Sequence, residues 1–141
     1  MKFKLVTLAG EKINEEVYSV TIPTIDGEIS VFPSHEPLVT VAKDGIVAVQ
    51  FDKNHGAERR EYFAISGGIV EINGKTVKIL VDEADHGEDI MESETQAALE
   101  RAIALRDSAG DAVELDKAHR LIDRHMVRLK VADLQRRKRR Q

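Results

Sequence analysis

The stretch Gly68-Ile69-Val70-Glu71-Ile72-Asn73-Gly74-Lys75-Thr76-Val77-Lys78-Ile79-Leu80-Val81 decides the fold. Apolar and polar residues alternate in Val70-Glu71-Ile72 and again in Val77-Lys78-Ile79, so each run presents its apolar side chains on one face of a strand. Between them stands Asn73-Gly74, the strongest turn signal in the chain. Both residues tolerate positive φ, and a type I′ turn needs two such residues, so the expectation is a hairpin with one buried face.

The same pattern extends back to the first residues. All three prolines and seven of the nine glycines lie before Gly87. They punctuate short runs rich in Val, Ile, Thr and Phe at 3–8, 17–23, 28–32, 38–42, 46–51, 61–66, 69–72 and 77–81. Turn signals separate the runs at Asp26-Gly27, Asp44-Gly45, the loop 52–58 and Gly67-Gly68, where glycines allow two backbones to approach closely. Residues 1–86 are therefore expected to form an antiparallel β-sandwich.

Beyond Gly87 there is no proline, and apolar residues recur at helical spacing. Ala98, Ala102, Leu105 and Ala109 make one stripe; Leu115, Ala118, Ile122, Met126 and Leu129 make a second. Ser93 with Gln96 can form a capping box, Ser108-Ala109-Gly110-Asp111 breaks the pattern, and Asp111 with Glu114 offers a second box. Residues 87–141 are thus expected to be an antiparallel two-helix hairpin turning near Gly110. Eight alanines fall in it, so the helices approach closely yet bury little area, and such a hairpin can detach from the β domain.

The 141 residues are 42% hydrophobic and 33% charged, enough for one globular domain with an appendage and unlike a disordered or membrane-like chain. There is no cysteine, which removes disulfides, thiolate metal sites and a thiol nucleophile together. The start of the chain has too short an apolar run for a signal peptide, and no window approaches the roughly 20 apolar residues of a membrane span. The net charge of −4 conceals an asymmetry. Residues 1–86 carry 9 basic and 14 acidic side chains (−5), residues 87–116 carry 2 and 9 (−7), and residues 117–141 carry 10 and 2 (+8). Arg120, Arg124 and Arg128 stand four apart on one helical face within that basic block, with Lys117 nearby. The block has two readings: a surface for a polyanion, or a solvated helix face paired with the acidic segment before it.

No catalytic set emerges. Asp82-Glu83-Ala84-Asp85 spells the acidic box of helicases, but the phosphate loop such an engine needs is missing: five residues lie between Gly68 and Gly74-Lys75-Thr76 where four are required, and on a hairpin. The box is expected to be a strand end running into a solvated acidic linker. The histidines at 35, 55, 86, 119 and 125 are scattered, and His35-Glu36 lacks a second His four residues on, so neither a metal nor a cofactor site is expected. Pro33-Ser34-His35-Glu36-Pro37 is a stiff loop with a polar tip, suited either to a partner or to a crossover between sheets.

Residues 27–38, Gly27-Glu28-Ile29-Ser30-Val31-Phe32-Pro33-Ser34-His35-Glu36-Pro37-Leu38, followed by Lys43-Asp44-Gly45 and by Phe63-Ala64-Ile65-Ser66-Gly67-Gly68-Ile69-Val70-Glu71-Ile72, closely resemble the epsilon subunit of the bacterial rotary proton-translocating ATP synthase. The likeness spans the chain and is looser in the hairpin. It implies a sandwich of about ten strands at the foot of the central stalk, bound to the gamma subunit and to the ring of c subunits. It also implies no active site, and a location at the cytoplasmic face of the bacterial membrane, held there through the complex. By position, Glu28, Pro33, His35 and Pro37 would face the c ring. Arg120, Arg124 and Arg128 would reach the alpha and beta subunits when the hairpin extends and obstructs ATP hydrolysis. Some relatives bind ATP on the folded hairpin; here Ile90-Met91-Glu92-Ser93-Glu94-Thr95 replaces their motif, with Met for its Asp and Glu for its Arg, so no tight ATP binding is expected. The alternative from another class is a small basic-tailed nucleic-acid adaptor.

Overall fold

The computed structural model describes residues 1–53 and 59–139, Arg139 by its backbone alone. The middle of the expected 52–58 loop, with His55, lies outside the described residues.

Ten strands precede two helices. They are β1 (Lys2–Thr7), β2 (Gly10–Glu16), β3 (Ser19–Thr24), β4 (Gly27–Val31), β5 (Leu38–Ala42), β6 (Gly45–Gln50), β7 (Arg60–Ile65), β8 (Gly68–Ile72), β9 (Thr76–Val81) and β10 (Ala84–His86). A 3₁₀ turn at Gly87–Asp89 leads into α1 (Glu92–Asp107) and α2 (Ala112–Arg139). The strands follow one path, β10-β7-β6-β3-β5-β8-β9-β1-β2, with β4 on β3. Because β3 and β5 share a single residue pair, Thr24 with Ala42, the path divides there into two layers. Val20, Ile22, Val47, Val49 and Phe63 from one layer meet Phe3, Leu5, Val70, Ile72, Val77 and Ile79 from the other in one buried cluster. The alternation that opened the sequence reading is therefore the core face of β8 and β9.

Three local expectations are corrected. The β8–β9 hairpin forms, but neither Asn73 nor Gly74 has positive φ. The Asn73 side chain instead accepts from the N–H groups of Lys75 and Thr76 at 3.0 and 2.9 Å, an Asx turn that closes the loop without a type I′ backbone. Pairing among the described strands is antiparallel as expected but for β1 and β9, which run parallel, as two strands can when the rest of the domain lies between them. Two strands had no apolar signature. β2 carries one buried residue, Ile13, on an exposed edge, and β10 lies inside the supposed acidic linker, where it pairs with Phe63, Ala64 and Ile65 of β7.

Gly68 shows the close approach its sequence implied: a Cβ there would lie 1.8 Å from the Leu80 carbonyl oxygen. In the hairpin, α1 starts at Glu92 from an uncapped Met91, so Ser93 lies within the helix and forms no capping box. At α2 the expected box forms in altered form. The Glu114 N–H donates to Asp111 Oδ1 at 2.8 Å, while the Glu114 carboxylate accepts from Gly110 N. The expected apolar stripes are buried only in part, at Ala102, Ala118 and Ile122. Thr95 and Ala102 of α1 and Ala118 and Ile122 of α2 are buried, whereas Leu105, Leu115 and Met126 are exposed.

Candidate functional site

The hairpin rests on the outer face of β6 and β7. Val131 and Ala132 of α2, together with Ala64 of β7 and Ile90, form a second buried cluster, flanked by Ile46, Tyr62 and Val127. This patch is small, and charged residues surround it. The Ser66 hydroxyl accepts from the Glu83 N–H at 2.8 Å and thereby fixes the turn between β9 and β10. That turn aims the Glu83 carboxylate at Arg124, 3.2 Å away, while Asp85 on β10 lies 3.4 Å from Arg128. Arg136 bridges α2 to Glu92 of α1 at 3.1 Å.

The basic block pairs only in part with the acidic segment 87–116: Arg120 meets Asp116 and Arg136 meets Glu92, whereas Arg124 and Arg128 meet carboxylates that precede that segment. The three arginines do not form one free face. Arg124 and Arg128 are partly covered and face β-domain carboxylates, while Arg120 is exposed and bonds Asp116 of its own helix at 2.6 Å. His125 stands among them with a buried Nδ1 that has no hydrogen-bond partner. Burial, and then the charges of Arg128, Arg124 and Arg101, hold its pKa below the usual imidazole value, with Glu83 opposing them.

Pro33, His35 and Pro37 share one loop between β4 and β5. The His35 N–H donates to the Phe32 carbonyl at 3.2 Å and Ser34 has φ +68°, which makes a type II turn with Pro33 and Ser34 at its centre. The Phe32 ring packs edge-on to Tyr18, centroids 5.6 Å apart. Glu28 is exposed but is not beside this loop. It lies near the other end of β4, roughly 13 Å away along a strand rising about 3.3 Å per residue. A third surface had no signal beyond β-strand composition: Val39 and Val41 of β5 and Ile69 of β8 point outward from their sheet and are 72%, 45% and 47% exposed. Single outward hydrophobics are ordinary, but three adjacent ones on paired strands form a patch.

Among the described residues, no group of three His, Asp or Glu side chains could hold a metal, and no helix is long and apolar enough to cross a membrane. In the stretch that replaces the ATP motif, Thr95 is buried and Glu92 is engaged by Arg136.

The fold is thus a β-sandwich that carries a docked helical hairpin. The family described as the ATP synthase delta/epsilon chain beta-sandwich domain matches residues 1–87. The ATP synthase epsilon chain of Herpetosiphon aurantiacus is 35% identical over 137 residues, 96% of this chain and 96% of that relative. The epsilon chain of Chloroflexus aggregans is 33% identical over 98% of this chain and 96% of its own length. Among solved structures, a chain of the Euglena gracilis mitochondrial ATP synthase, an OSCP/F1/c-ring assembly, superposes with a TM-score of 0.77 at 26% identity, over 92% of this chain and 79% of that one. The chain belongs to the ATP synthase epsilon-chain family. The nucleic-acid adaptor finds no support in these matches.

Proposed function

We propose that the chain is a non-catalytic central-stalk (rotor) subunit of a proton-driven ATP synthase, peripheral at the cytoplasmic face of the membrane. Residues 1–86 bind the gamma subunit and the c ring, and residues 87–141 regulate ATP hydrolysis. The observation that carries this reading is the way the hairpin docks: a small apolar patch rimmed by the partly exposed pairs Arg124–Glu83 and Arg128–Asp85. Such a contact holds an element in place and still lets it leave, because exposed ion pairs contribute little net stability. On release, Arg124 and Arg128 join Arg120 as one basic stripe, suited to acidic surfaces of the alpha and beta subunits. The outward patch of Val39, Val41 and Ile69 is a fitting apolar face for gamma. Glu28 and the Pro33, His35, Pro37 loop, at opposite ends of β4, offer the c ring two separate contacts.

The test is ATP hydrolysis by the assembled complex carrying either the full chain or one ending at residue 87. The truncated chain should raise hydrolysis and leave proton coupling intact; unchanged hydrolysis would sink the regulatory part. Binding of the full chain to purified gamma subunit at physiological salt tests the rest, with failure to bind counting against the rotor assignment.

A further inference from the structure

Tyr62 and Gln135 meet where strand pairing stops. β10 covers β7 only along Phe63, Ala64 and Ile65, and the chain then turns away at Gly87. The Tyr62 N–H, just past the last paired residue, donates to the side-chain Oε1 of Gln135, 73 residues later, at 3.4 Å. Gln135 is 2% exposed, and among the described residues it is the buried polar side chain of α2. Its niche is closed by Gly87, where a Cβ would come within 2.9 Å of Gln135 Cβ and 3.1 Å of Oε1. One turn earlier on the same helix face, Val131 and Ala132 are buried against β7.

We propose that Gln135 is the latch of the docked hairpin. Its amide oxygen takes the place of the partner that Tyr62, paired with Ala48 of β6 on one side, lacks on its β10 side. α2 can therefore seat on the sandwich in one register only, and it must give up this bond and leave the niche over Gly87 to undock. A one-residue slide along α2 would bring Leu134 or Arg136 to the niche and leave the part-buried Tyr62 N–H without this acceptor, which costs stability. The Arg124 and Arg128 pairs lie at the rim and tolerate such shifts; Gln135 does not. The inference rests on the hairpin being separable.

Native-state hydrogen exchange on the full chain tests it. In the wild type the Tyr62 amide and the amides of α2 from 128 to 135 should exchange through one shared opening, ahead of core amides such as Val47 and Ile79. Gln135→Leu keeps the volume and removes the acceptor. It should populate that opening roughly tenfold more, with the core amides unchanged. Gly87→Ala keeps the donor and the acceptor but crowds Gln135 Cβ and Oε1, and should act in the same direction. If α2 exchanges only with global unfolding, the separable hairpin and the latch fall together. If α2 opens separately while Tyr62 stays protected, or if both variants leave α2 exchange within twofold of wild type, the latch alone is overturned. Hydrolysis by the assembled complex is a separate readout, so the latch can stand where regulation fails.

Discussion

Arg128 of α2 lies 3.4 Å from Asp85 of β10, and Arg124, one turn earlier, lies 3.2 Å from Glu83. The acidic box that resembles a nucleotide engine in sequence is, in three dimensions, the counter-surface for the hairpin's arginines. Both pairs are solvent-accessible, with side-chain exposures of 29% and 38% for Arg128 and Asp85, so each should be weak and screened. A double-mutant cycle of Asp85→Ala and Arg128→Ala, read by the stability of α2 docking, should give a coupling below about 1 kcal/mol at 0.1 M salt that fades toward zero at 1 M. A coupling of several kcal/mol, indifferent to salt, would mean that the pair holds the hairpin by itself.

Gly68 has no room for a side chain. With the Leu80 carbonyl oxygen 1.8 Å from an added Cβ, Gly68→Ala must push β8 and β9 apart. Overpacking of this kind costs roughly 1–3 kcal/mol, and more where backbone rather than a flexible side chain must yield. Gly74, in the same hairpin, has nothing within 4 Å of its added Cβ. Unfolding free energies from urea titration should fall sharply for Gly68→Ala and stay within about 0.5 kcal/mol of wild type for Gly74→Ala.

These two glycines also show what was legible in the sequence. Gly67-Gly68 signalled close approach and delivered it, because a run of two glycines between strands has few other uses. Asn73-Gly74 signalled a turn correctly, yet the Asn side chain supplied the hydrogen bonds and removed the need for positive φ. β2 and β10 were not legible: pairing with β1 and β7 makes them strands, not apolar alternation of their own. The arginine stripe was visible as charge, and pairing with residues 87–116 was one of its readings, but its partners at 83 and 85 were not, since only the fold brings them to 124 and 128. Gln135 left no trace, because one Gln inside an arginine-rich helix looks like solvated surface until β7 is seen beneath it.

Ser34 holds φ +68° at the third position of its type II turn, where glycine is the usual residue. A β-branched side chain suffers most in that region, at roughly 1–2 kcal/mol. Ser34→Val should lower the unfolding free energy by about 1 kcal/mol or more, while Ser34→Gly should be neutral or mildly stabilising. Equal stabilities for the two variants would show that the loop can abandon this turn.

His125 gives the folded chain a pH dependence of defined sign. Arg124 and Arg128 flank it on α2, Arg101 acts on it from α1, and Glu83 acts on it from the turn before β10. Burial first, and the arginines after it, lower its pKa in the folded chain below the 6.5 of the free side chain, which the unfolded chain keeps. Above that value both states are neutral and the group costs no stability. As the pH falls through 6.5 the unfolded chain takes up a proton that the folded chain refuses, so stability falls until the lowered folded-state pKa is passed. The unfolding free energy should therefore drop between pH 7.5 and pH 5.5 by more in the wild type than in His125→Gln, which removes the titrating group. Equal slopes for the two would place the acid sensitivity in other groups, since a neutral amide at 125 cannot discriminate between folded and unfolded protonation.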